Sequence, residues 1–166
     1  GGTHHAFSDR GEAFCLLNDQ AIAAQYLINQ KKCHKILIVD LDVHQGNGTA
    51  EIFQNNADVI TFSMHGQSNY PFRKETSDYD IALPDKTDDT TYLSILQETL
   101  PELLNIHRPD FVFYLAGVDI LGTDKLGKLG CTLEGCKARD SYVLGLCKSL
   151  GIPVQVSMGG GYSPAI

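Results

Sequence analysis

Positive charge is scarce in this chain. Thirteen lysines and arginines face twenty aspartates and glutamates, for a formal net charge of −7 and a pI near 5.2. That argues against binding nucleic acid through a broad basic face, while a basic peptide or amine remains open as a ligand. Long apolar runs are also lacking: none approaches the roughly 18 residues a membrane helix needs. No secretory leader is visible, although the chain opens abruptly on Gly1-Gly2, as it would if a leader were missing. There is no CxxC. The five cysteines, Cys15, Cys33, Cys131, Cys136 and Cys147, are odd in number. Four of them lie in segments that read as helix or helix start. They read as reduced, mostly buried thiols of a cytoplasmic protein and not as a disulfide framework. No repeat, low-complexity tract or linker interrupts the sequence, and 166 residues make one domain or part of one.

What is present is a packable interior: 43% hydrophobic residues against 20% charged. Apolar runs rich in Val, Ile and Phe recur as KILIVDL (35–41), DVITFSM (58–64), FVFYLAG (111–117) and VQVSMGG (154–160). They are near-continuous, as strands buried on both faces should be. Helical patterns lie between them at 14–30, at 48–55 after the N-cap candidate Asn47, at 90–107 with a kink or split expected at Pro101, and at 133–150 after Thr132. Alternating strand and helix predicts a parallel sheet with right-handed crossovers.

Ligands in such sheets gather beyond the carboxyl ends of the strands. The residues there are ionisable or glycine: Asp40, Asp42 and His44 after the first run, Ser63, Met64 and His65 after the second, Asp119 after the third, and Gly159-Gly160-Gly161-Tyr162 after the fourth. Residues two apart on an extended chain face the same way, so Asp42 and His44 can converge, with Asp119 completing the set. Two carboxylates and one imidazole with an open position suit catalytic zinc, Fe(II) or Co(II). The bland alternative makes Asp42 and His44 loop residues that cap the next helix.

His4-His5 admits a metal pair, a tag remnant or surface residues. A further reading is general acid–base work on a metal-activated water, with Asp40 orienting one ring and Asn47 the other. The glycines before Tyr162 call for permissive φ and close approach. They form either a plain turn with a surface tyrosine, or a wall from which the Tyr162 hydroxyl donates to an oxyanion.

These pieces together resemble the histone deacetylase superfamily. GGTHHAF, EAFCLLND, ILIVDLDVHQGNGTAEIF, TFSMHG, YLAGVDIL, DKLGKLG and MGGGY occur in the family's order and cover nearly the whole chain. Asn47 stands where class I enzymes carry aspartate, and NYPFRKETSDYDIALPD also looks bacterial, so the likeness is to bacterial and class IV-like members, and to the cytoplasm. The resemblance implies an arginase/deacetylase-like, three-layer α/β/α fold with a parallel sheet, incomplete at both ends, residues 1–166 being a single partial catalytic domain. It implies roughly a hundred further residues before the paired histidines and more helix after Tyr162. On that expectation the parent protein is active and the piece alone is poorly active or aggregates.

By position, the resemblance makes Asp42, His44 and Asp119 ligands of zinc (or Fe(II)). It makes His5 the general base and then acid, His4 with Asp40 the charge-stabilising neighbour, Asn47 the acceptor orienting His5, and Tyr162 the group that polarises the scissile carbonyl. Phe14 forms one wall of an acyl-lysine tunnel, Tyr70 or Phe72 the other, and Gly160 lines it. Asp40, Asp42, His44, Ser63 and Met64 match an inner monovalent-cation site for K⁺ or Na⁺, and Phe53, Val59 and Tyr79 an outer one. The implied activity is hydrolysis of the amide of Nε-acetyl- or acyl-lysine in a protein or peptide, by a metal-dependent amidohydrolase with no nucleic-acid or membrane partner. Acetylated polyamines, a catalytically inactive acyl-lysine-binding module and an arginase-like binuclear hydrolase using His65 are the alternatives.

Overall fold

The computed structural model describes residues 2–164. Its elements run α1 (Asp19–Asn29), β1 (Ile36–Asp40), α2 (Asn47–Phe53), β2 (Val59–Gly66), β3 (Tyr79–Leu83), α3 (Asp89–His107), β4 (Phe111–Ala116), α4 (Leu133–Ser149) and β5 (Val154–Met158). The strands form one sheet in the order β3-β2-β1-β4-β5, and every pairing is parallel. β1 lies at the centre and all five of its residues are buried.

Alternation along the strands assigns the layers. Ile36, Ile38 and Phe113 pack with Ala21 and Ala24 of α1 and Phe53 of α2. Leu37, Val39, Val112 and Tyr114 face the other way, onto Leu96, Leu100, Leu103 and Leu104 of α3 and Cys136, Val143 and Cys147 of α4. Apolar residues on both faces of one strand demand helices on both sides, and the result is the expected α/β/α sandwich. None of the helices among the described residues is long and apolar enough to cross a membrane. All five cysteines are free and buried. Only Cys136 and Cys147 sit in a helix, whereas Cys15 and Cys131 form isolated bridges to Glu12 and Leu121.

The structure corrects several expectations. The first helix begins at Asp19, not at 14, because the Asn18 side chain accepts from the Ala21 N–H at 3.0 Å. A tight turn precedes it, with Glu12 and Cys15 exchanging both backbone hydrogen bonds at 2.9 Å. α2 is capped by Gly46, and Asn47 spends its side chain elsewhere. Pro101 does not split α3, which runs as one helix from Asp89 to His107. Proline leaves the carbonyl four residues earlier without its helical donor, and that carbonyl, of Gln97, accepts the Tyr142 hydroxyl of α4 at 3.4 Å. β3 has no counterpart among the expected strands. As an edge strand it is only half-buried, so it lacks the continuous apolar run that marks β2, its neighbour.

Candidate active site

The carboxyl ends of β1 and β4 meet at a cluster of buried ionisable groups. Asp42, His44 and Asp119 each offer one atom, and these three atoms lie within 4.8 Å of one another. His44 Nδ1 sits 3.0 Å from Asp42 Oδ1 and 3.1 Å from Asp119 Oδ2. Backbone amides fix the carboxylates: His44 N–H donates to Asp42 Oδ1 at 2.9 Å, Val43 N–H to Asp119 Oδ1 at 3.0 Å, and Gly160 N–H to Asp42 Oδ2 at 2.6 Å. Arg139, fully buried, ties the two strand ends together by donating to the carbonyls of Leu41 and Gly117 at 3.2 and 2.6 Å.

Burial opposes charge on His44, but hydrogen bonds to Asp119 and Asp42 and their charges overcome it and push the imidazole up to about 10. Burial and the neighbouring Asp42 raise Asp119 to about 7. Asp42, despite burial, is held well below the usual carboxylate range by His4 and His44. Two buried carboxylates this close call for a cation between them. A divalent ion bound by this O, O, N set satisfies the same demand, and these residues fit it.

The glycines after β5 act through size, as does Gly117 after β4. A Cβ at Gly160 would overlap the Asp119 carboxylate, and one at Gly159 or Gly117 would crowd that of Asp42. Neither Gly159 nor Gly160 occupies the left-handed region, so close approach alone explains glycine at these two positions.

The paired histidines lie beside this cluster, ring centroids 4.1 Å apart, and their environments differ. His4 Nδ1–H donates to Asp40 Oδ2 at 2.6 Å. Burial disfavours its charge, but Asp40 and Asp42 outweigh that and raise it to about 9. His5 Nδ1–H donates to Asn47 Oδ1 at 2.7 Å. Burial and the charge on His4 lower it to about 4, so at neutral pH a cationic imidazole stands next to a neutral one. Such a pair can divide charge stabilisation from proton acceptance. Asp40 itself is raised by burial and held against it by His4.

A cavity of about 500 Å³ opens above these groups, lined by His4, His5, Asp42 and His44 and by the aromatics Phe14, Tyr70, Phe72 and Tyr162. Phe14 and Phe72 are 80% and 90% exposed and stand at its mouth. Tyr70 lies deeper, edge-on to His5 at 5.0 Å and to Phe72 at 6.3 Å, so both candidates for the second wall line the cavity. Tyr162 faces Phe14 at 6.3 Å. Burial and the Asp42 and Asp119 charges raise its hydroxyl, keeping it a donor. Its backbone N–H is anchored on Asp124 Oδ2 at 2.6 Å.

Asp40 pairs in register with Ser63, which sets the inner cation-site candidates Asp40, Asp42 and His44, at and beyond the end of β1, beside Ser63 and Met64, which lie inside β2 because that strand runs on to Gly66. The outer set does not converge through its side chains. Phe53 and Val59 share the cluster under α1 and α2, whereas Tyr79 packs against the opposite cluster and sets its hydroxyl 2.8 Å from His107. His65 Nδ1 is engaged with Ser63 at 3.0 Å. Among the described residues Asp42, His44 and Asp119 form the one cluster with metal-ligand geometry, which gives a binuclear site no support.

Sequence reasoning missed Glu12, Arg139 and Asp124. Glu12 heads the EAFCLLND piece and accepts from both Asn47 and Tyr70, yet lies 35 and 58 residues from them, and no spacing in the sequence ties it to either.

A model of the histone deacetylase domain matches residues 1–166. An uncharacterised protein of Picosynechococcus sp. is 51% identical over 166 residues, covering 100% of this chain and 55% of that protein. Among solved structures, a histone deacetylase homologue from Aquifex aeolicus superimposes with a TM-score of 0.86 at 28% identity, over 99% of this chain and 46% of the other. An acetylpolyamine aminohydrolase from Burkholderia pseudomallei gives 0.81 at 28% identity, over 96% and 48%. The chain spans about half the length of the relatives it matches. With the domain match running through every residue of the site, the chain belongs to the histone deacetylase family.

Proposed function

We propose that the protein carrying this chain hydrolyses the amide of Nε-acetyl- or acyl-lysine, releasing the carboxylic acid and the free amine. One observation carries the reading: a neutral imidazole, His5, stands beside the Asp42, His44 and Asp119 set at the base of an aromatic-walled cavity. Asp42, His44 and Asp119 would hold zinc or Fe(II). When bound, the ion supplies Lewis acidity, polarising the acyl carbonyl and making water more acidic.

The chain's own groups do the rest. Phe14, Tyr70 and Phe72 enclose the apolar lysine stem and keep bulk water out. His5 takes the proton from the attacking water through Nε2, since its Nδ1 is committed to Asn47. The Tyr162 hydroxyl donates to the oxyanion. His4, held cationic by Asp40, offsets the negative charge that accumulates. His5 then returns its proton to the leaving amine. K⁺ or Na⁺ beside Asp40 and Ser63 belongs to the same reading.

An acetylated polyamine is the second substrate reading, supported by the likeness to an acetylpolyamine aminohydrolase and by the net charge of −7. The test is hydrolysis of an acetyl-lysine peptide and of acetylspermidine by the intact, metal-loaded protein, with His5→Ala as control. Preference for the peptide, lost in the variant, is expected. Preference for acetylspermidine selects the second reading, and cleavage of neither overturns both.

A further inference from the structure

We propose that Glu12 is a positioning residue that sets the tautomer of His5 through the amide of Asn47, an inference that rests on His5 being the base. Asn47 Nδ2–H donates to Glu12 Oε1 at 2.8 Å, and the Tyr70 hydroxyl donates to the same oxygen at 2.6 Å. On its other side, Asn47 Oδ1 accepts from His5 at 2.7 Å.

An asparagine amide is by itself an ambiguous partner for imidazole. Rotated by half a turn, it presents N–H where it had presented oxygen. His5 Nδ1 would then accept, its proton would sit on Nε2, and the nitrogen aimed at the substrate could no longer take a proton. An aspartate has no such choice, since an ionised carboxylate only accepts. Glu12 removes the choice from one bond away. Its carboxylate accepts only, so it faces the Asn47 N–H₂, which turns Oδ1 toward His5 and requires the proton on Nδ1. The rotated amide would set two oxygens against each other across the 2.8 Å contact.

The surroundings keep Glu12 fit for this role. The hydrogen bonds from Tyr70 and Asn47, with the positive charge of Arg10 nearby, hold its carboxyl below the ordinary value. Arg10 Nε lies 3.7 Å from Oε2. The two backbone hydrogen bonds with Cys15 fix the turn on which it stands. The same turn carries Phe14, and Tyr70 lies edge-on to His5. One carboxylate therefore registers the cavity wall, the amide and the base.

The test compares Glu12→Gln with Glu12→Gln/Asn47→Asp in the intact protein. Glutamine keeps the size and can accept, but it can also donate, so it permits the rotated amide. A carboxylate at position 47 restores the lock, with the glutamine amide donating to it. The tautomer of His5 is read by ¹⁵N NMR of histidine-labelled protein at mildly alkaline pH, and kcat and KM are measured on an acetyl-lysine peptide. Glu12→Gln should give a His5 population protonated at Nε2 and a kcat lower by about 10-fold, in the usual range for groups that orient a site through another residue, with KM nearly unchanged. The double variant should reverse both. Glu12→Ala, which removes the acceptor altogether, should shift the tautomer in the same direction. Retention of the Nδ1-protonated form in Glu12→Gln and Glu12→Ala overturns the inference. A tautomer shift without loss of kcat sustains the role of Glu12 and overturns His5 as the base.

Discussion

One substitution, made at two glycines, should have opposite effects. Gly145 is exposed in the middle of α4, and a Cβ there would meet nothing within 4 Å. Glycine in a helix interior costs roughly 0.5–1 kcal/mol relative to alanine, so Gly145→Ala should stabilise by about that amount. At Gly160 the added Cβ overlaps the Asp119 carboxylate and comes within 3.1 Å of Asp42 Oδ2. Neither carboxylate can step aside freely. Val43 N–H holds Asp119, and Gly160's own N–H holds Asp42. Overpacking of this kind typically costs ~1–3 kcal/mol, and here it falls on two of the three groups that would hold the ion. At about 1.4 kcal/mol per tenfold, divalent-ion affinity should drop roughly 10- to 100-fold. Calorimetric titration of the chelated proteins with zinc measures affinity, and thermal melting measures stability. Wild-type zinc affinity in Gly160→Ala would refute the argument that glycine is required there for the approach of the carboxylates.

Other predictions follow from the same geometry. Tyr162→Phe should lower kcat by ~10²–10³, the usual loss for one oxyanion donor, while zinc content stays unchanged. Zinc binding near pH 8 should release about one proton, because His44 is pushed up to about 10 and must give up the proton it shares with the two carboxylates. Calorimetry in buffers of different ionisation enthalpy measures that number, and the release should vanish as the pH rises past about 10. His4 has a folded-state value raised from 6.5 to about 9. Its pairing with Asp40 therefore adds stability that is complete below pH 6.5 and is lost as the pH rises through about 9. Asp40→Asn should melt well below wild type at pH 7, and the gap should narrow by pH 10.

The strands buried on both faces were legible because a parallel sheet between two helical layers needs continuous apolar runs, and β1, β2 and β4 supply them. Edge strand β3 was not, since Tyr79–Leu83 is half exposed and breaks that pattern. Asp42, His44 and Asp119 could be grouped by the rule that strand ends collect ligands, although β1 stops at Asp40 and Asp42 and His44 stand on the bend beyond it and not on an extended strand. The start of α1 was misplaced because the apolar spacing of 14–18 imitates a helix, while Phe14, Leu16 and Leu17 are in fact exposed on a turn. Asn47 reads as an N-cap by residue type, yet its side chain is drawn to His5 and Glu12. Glu12, Arg139 and Asp124 act across the fold through hydrogen bonds to distant segments, and no local periodicity encodes such partners.

The proposed hydrolysis requires Asp42, His44 and Asp119 to hold one divalent ion at the base of the cavity. Elemental analysis of the intact protein, purified as wild type and as Asp42→Ala, tests this most directly. About one zinc or iron per wild-type chain, lost in the variant while the fold is retained, is the predicted result. A folded wild type that binds no such ion, or an Asp42→Ala protein that keeps it, would contradict the account.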